Sequence, residues 1–149
     1  MVLIWLLLTS VFVYRVMSSS CVTYDNALIL AFGDSLTHGT LSPLTKETHP
    51  YTLQLHKHLP SSTIIEKGVP GEVTSHMVER LKVELASLER APDVIIILGG
   101  TNDIGMRIIS PQRIVANIIS MHEEIRMLKE KYPEKYGHVQ RTVVLTIPR

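Results

Sequence analysis

Only one cysteine, Cys21, occurs in the 149 residues. No disulfide can close within the chain, and a cysteine-based zinc site is excluded. Aromatic residues are scarce: five Tyr, two Phe and one Trp. The formal net charge is +1, and no basic run is interleaved with aromatics, so the footprint of a nucleic-acid binder is missing. No apolar run reaches the roughly twenty residues that a membrane-spanning helix needs. The seven histidines lack metal-ligand spacing. His38, His49, His76, His122 and His138 are scattered, and His56 and His58, two apart, point away from each other on a helix. Neither a metal nor a cofactor is expected. A Gly-x-Gly-x-x-Gly or phosphate-loop pattern is also absent, which argues against a flavin or nucleotide binder. What remains is globular: 45% hydrophobic, 19% charged, and one domain in length.

The amino terminus stands apart. Val2 to Tyr14 is almost wholly apolar and is closed by Arg15. Its length suits the apolar region of a secretory signal, with Ser18-Ser19-Ser20 offering small residues for cleavage before Cys21. No Lys or Arg precedes the run, so an uncleaved anchor is the alternative. A start at Met17 would instead give a cytoplasmic protein. The expectation is a signal peptide or membrane anchor over residues 1–22 of a secreted or membrane-anchored protein. Any membrane association would run through residues 2–14, and a single domain would occupy 23–149.

Within that domain, strands and helices alternate. Ala27 to Phe32 is a six-residue apolar run, read as a fully buried strand. Pro50 opens a helix from Tyr51 to Leu59, ended by Pro60. Ser62 to Lys67 is short and β-branched, a second strand. Met77, Leu81, Leu85 and Leu88 form one stripe of a helix over about Ser75 to Arg90. Asp93 to Leu98 is a third strand, apolar enough for burial on both faces. Ser110-Pro111 caps a helix that carries Ile114, Ile118, Met121, Ile125 and Leu128 to about Lys131. Pro133 to His138 reads as a loop, and Thr142 to Ile147 as a fourth strand. The order β-α-β-α-β-α-β demands a parallel sheet with helical crossovers.

Three turns leave that sheet from its carboxyl edge, where open α/β sheets bind ligands. The first carries Gly33-Asp34-Ser35, the second Gly68-Val69-Pro70-Gly71 and the third Gly99-Gly100-Thr101-Asn102-Asp103. A serine attacks an acyl carbon when a base takes its proton and donors stabilise the oxyanion. Backbone N–H groups in glycine turns and the side-chain amide of Asn102 are such donors.

Gly33-Asp34-Ser35-Leu36, Gly71 before Glu72-Val73-Thr74, and Gly100-Thr101-Asn102-Asp103 resemble, in order and spacing, the first three sequence blocks of the GDSL, or SGNH, hydrolases. Val143 to Pro148 resembles the family's next strand, so the likeness runs from Leu28 to Pro148. The resemblance implies a three-layer α/β/α sandwich of flavodoxin-like order, 2-1-3-4 so far as the strands go. It also implies a serine esterase or lipase acting on a small-molecule carboxylic ester (lipid, thioester or acetyl) through an acyl-serine. Ser35 would be the nucleophile. The N–H groups of Ser35 and Gly71 and the amide of Asn102 would form the oxyanion hole. Asp34 and Asp103, with Gly100 and Thr101, would support these turns, the two aspartates by accepting N–H bonds within their own turns. The polar loop from Thr40 to Pro50 would shape the acyl or leaving-group pocket.

The family's fourth block, Asp-x-x-His, is missing. Three residues after Asp25, Asp34, Asp93 and Asp103 stand Leu28, Thr37, Ile96 and Met106. The domain is therefore expected to be incomplete after its fourth strand, with no general base of its own. His38 and His76 lie near the turns but lack a carboxylate at the family's spacing. The alternative is an inactive homologue that binds an acyl or glycan ligand, or a protein partner, through the same turns.

Overall fold

A computed structural model describes residues 24–41, 47–139 and 141–145. The expected signal or anchor over 1–22, the middle of the polar loop and the end of the last strand at Ile147 lie outside the described residues.

Four strands form one parallel sheet: β1 (Leu28–Gly33), β2 (Thr63–Gly68), β3 (Val94–Leu98) and β4 (Arg141–Val144), in the order β2-β1-β3-β4. Side chains of a strand alternate between the two faces of its sheet, and both faces are apolar here. Leu30 and Phe32 of β1, with Ile95 and Ile97 of β3, point to one side. Ile29, Val94 and Ile96 point to the other. Two cores follow, one on each face, and so three layers.

The larger core is covered by α3 (Thr74–Ser87) and α5 (Pro111–Lys131). Met77, Leu81 and Leu85 of α3 are fully buried, as are Met121 and Ile125 of α5, while Ile118 and Leu128 pack partly against them. Each such buried side chain typically contributes about 1.5–3 kcal/mol. The predicted stripe ends one residue early, because Leu88 is already extended at the carboxyl cap of α3. Ser110 caps α5 by accepting from Arg113 N at 3.3 Å, with Pro111 in the first turn. The smaller core takes Leu55 and Leu59 from the region of α2 (Thr52–His58). Tyr51 is the cap of α2, so Pro50 stands outside the helix and not at its first position.

Three one-turn helices replace segments expected as turns or loops. These are α1 (Ser35–His38), α4 (Thr101–Met106) and α6 (Pro133–Tyr136). The last has a physical anchor: Tyr136 is buried and its hydroxyl donates to Leu85 O at 3.1 Å. Among the described residues, no helix is long and apolar enough to cross a membrane.

β4 is the outer strand on its side and is only half-buried. It is tied to α5 by His122, whose Nδ1 lies 2.6 Å from Thr142 Oγ1, while Nε2 is buried without a partner. Burial holds the His122 pKa below its ordinary 6.5, against a smaller opposing pull from Glu123. A depressed histidine contributes stability above pH 6.5 that is lost as pH falls through the folded pKa. Urea unfolding between pH 7 and pH 5 should therefore show a loss of stability that His122→Gln reduces. An unchanged pH slope in the variant would refute this.

Candidate active site

Gly33 pairs with Gly68 on one side and with Leu98 on the other, so three strands end at one level. The turns that follow are thereby neighbours. Asp34 N donates to Leu98 O at 3.3 Å, and Val69 N to Gly33 O at 2.9 Å.

In the first turn, Asp34 is fully buried and caps α1, accepting from Leu36 N at 2.9 Å. Ser35, half-buried, is the first residue of α1. Burial pushes the Asp34 carboxyl above its ordinary pKa. The Leu36 N–H pulls it down, as do the hydroxyl and N–H of Thr101, while the charge of Glu72 raises it.

The second turn needs its glycine for backbone reasons. Gly71 has φ of +78°, a left-handed conformation, and nothing stands within 4 Å of where a Cβ would be. Gly71 itself is exposed. Glu72, Val73 and Thr74 beyond it are buried.

The third turn is joined to the second twice. Asn102 Nδ2 donates to Glu72 O at 2.8 Å. Asp103, fully buried, accepts from Thr74 N at 2.9 Å and from Thr74 Oγ1 at 3.1 Å. Asn117 Nδ2 on α5 donates to the same hydroxyl at 2.9 Å. Gly100, with φ of 108°, precedes α4, and Thr101 opens it. The expectation that Asp103 braces its own turn is therefore corrected. Its carboxylate reaches across to Thr74, because α4 turns the side chain inward and Thr74 presents two donors there. Asp34 does act within its own turn.

Ser35, Gly71 and Asn102 are thus carried on adjoining turns, with Asp34, Gly100, Thr101 and Asp103 behind them. The histidines behave differently from each other. His76 is exposed on α3. His38 is half-buried, and its Nδ1 lies 3.7 Å from Glu66 Oε2, beyond hydrogen-bonding distance. Among the described residues, no histidine hydrogen-bonds the Ser35 hydroxyl.

Sequence reasoning missed Arg80. From α3 its guanidinium reaches Glu72, Gly33 O and Lys67 O, and it lies 4.1 Å above the Phe32 ring. A cavity of about 450 Å³ adjoins Asp103 and is lined by Ile104, Ile108, Ile109, Pro111 and Ile114 with Arg107. Two smaller hollows of about 290 Å³ lie away from the turns, one between α5 and β4 and one among α3, α5 and α6.

Residues 31–147 match the GDSL-like Lipase/Acylhydrolase family. The chain belongs to this family. Among solved structures it is similar to AlinE4, an SGNH-hydrolase family esterase, with 28% identity and a TM-score of 0.60 over 85% of this chain and 63% of that one. TesA gives 21% identity and a TM-score of 0.60 over 80% of this chain and 60% of that one. The psychrotrophic esterase EstA from Pseudoalteromonas sp. gives 20% and 0.56 over 83% and 62%. At those lower identities the likeness speaks for the shared GDSL fold. No curated protein matches the chain. The chain spans less than two thirds of the length of these structures, 63% for AlinE4. The parallel sheet and its helical layers agree with the SGNH-hydrolase architecture of AlinE4.

Proposed function

We propose that this GDSL-family chain carries the nucleophile and oxyanion hole of a serine ester hydrolase. Ser35 Oγ attacks the ester carbonyl carbon, and its proton passes to a general base. The carbonyl oxygen, now negative, is held by the N–H groups of Ser35 and Gly71 and by the second N–H of Asn102 Nδ2. Collapse expels the alcohol, which takes up the proton, and leaves an acyl-serine that water then cleaves. One oxyanion donor of this kind is typically worth about 3 kcal/mol of transition-state stabilisation.

The observation that carries the reading is the bond from Asn102 Nδ2 to Glu72 O at 2.8 Å. It fixes the amide beside Gly71 while leaving one of its two hydrogens for a ligand. No residue of this sequence is assigned as the base, because the family's Asp-x-x-His does not occur in it. Carboxylic esters are the substrate class.

Fluorophosphonate labelling tests this, because the probe phosphonylates an activated serine. In the longest native form of the protein, labelling is expected and should vanish in Ser35→Ala. A folded, full-length protein that takes no label supports a second reading. In that reading the chain binds an acyl or glycan ligand, or a partner, without turnover. The absence of any histidine on Ser35 among the described residues is what favours it.

A further inference from the structure

The second turn is held from behind by a buried ion pair. Glu72 and Arg80 expose 7% and 18% of their side chains. Arg80 Nε donates to Glu72 Oε1 at 2.8 Å, Nη2 to Gly33 O at 3.0 Å and Nη1 to Lys67 O at 3.2 Å. All three guanidinium nitrogens are in use. The two carbonyls belong to the ends of β1 and β2, and the carboxylate belongs to the residue after Gly71. The aromatic face of Phe32 supports the group from below.

Glu72 is the pivot of this arrangement. Its carboxylate is gripped by Arg80, and its main-chain carbonyl accepts from Asn102 Nδ2. Its own N–H donates to Val69 O at 3.2 Å, which closes the turn around Gly71. A rotation of Glu72 would therefore move the Gly71 peptide and the Asn102 amide together. A buried pair of this kind adds little net stability over well-packed apolar residues, whereas a planar fork with fixed donor directions defines position.

We propose that Arg80 is a positioning residue: acting through Glu72, it sets where the Gly71 N–H and the Asn102 amide stand relative to Ser35. The geometric part depends only on the hydrogen bonds. The catalytic consequence rests on the esterase reading above.

Two substitutions test it without removing any donor of the proposed oxyanion hole. Arg80→Lys keeps the charge but offers one nitrogen where three were used. Glu72→Gln keeps the carbonyl that Asn102 needs and removes the ion pair. Both are compared with Ile125→Val, a core change remote from the turns. In 15N-labelled protein, both site variants should shift the Gly71 amide resonance. They should also speed exchange of the Asn102 side-chain amide by about tenfold, the loss of one ordinary hydrogen bond, and Ile125→Val should do neither. Fluorophosphonate labelling of the longest native form should show a maximal rate lowered by a similar factor and an unchanged half-saturating concentration. Folded variants in which both resonances stay in place would overturn the proposal. If the unaltered protein takes no label, the esterase reading fails and the amide measurements alone decide the role of Arg80. Should Arg80→Lys not fold, Glu72→Gln carries the same two readouts.

Discussion

Asp103→Ala should lower the unfolding free energy by about 3 kcal/mol, because bonds to a charged acceptor are worth about 1.5–3 kcal/mol each and buried donors are left behind. Thr74 N loses its acceptor outright, while the Thr74 hydroxyl keeps its bond from Asn117. Asp103 and Thr74 are both fully buried. In a domain of this size the loss corresponds to a fall in Tm of roughly 10 °C. Asp103→Asn should fall between, as its amide oxygen can still accept from one donor. Urea unfolding of the two variants gives the ranking. Equal stabilities for Ala and wild type would mean that the bridge between the second and third turns contributes nothing.

Gly33→Ala should be comparably severe for a steric reason. A Cβ at Gly33 would stand 2.2 Å from Leu98 O and 2.2 Å from Thr37 Oγ1. Leu98 O is held by Asp34 N, and Thr37 is the fully buried residue of α1, so neither has room to retreat. Overpacking of this sort typically costs about 1–3 kcal/mol and sometimes more. Here it also displaces the turn that carries Ser35. Gly105 supplies the contrast: it lies in α4, and open space surrounds its Cβ position. Gly105→Ala should be neutral or stabilising by about 0.5–1 kcal/mol through its higher helix propensity. Paired urea titrations should show a clear loss for Gly33→Ala and none for Gly105→Ala, and a mild Gly33→Ala would show that the two strand ends are loosely packed.

These contrasts bear on what the amino-acid order reveals by itself. β1 and β3 were legible because buried parallel strands are continuous apolar runs, β2 because it is a short β-branched run, and α3 and α5 because their core residues recur at three and four. The one-turn helices α1, α4 and α6 were not, since four to six residues hold no period. Ser35, Gly71 and Asn102 stood out through their glycine-rich settings at strand ends. Arg80 did not, because a lone arginine on a helix reads as a solvated side chain. Its partner Glu72 lies eight positions back, outside any local pairing rule. Asp103 was identified but given a local role, since nothing in the order of residues announces a partner 29 positions away.

Glu72 has a consequence for how the sequence can vary. A residue whose two ends answer to different turns makes those turns genetically interdependent. Substitutions at positions 72, 80 and 102 will be non-additive, as expected for groups in one bonded network. In a library randomised over these positions, survivors should co-vary as a set, and the order in which changes arise should decide which are tolerated. Leu53 and Val83, exposed and outside the network, should drift one at a time.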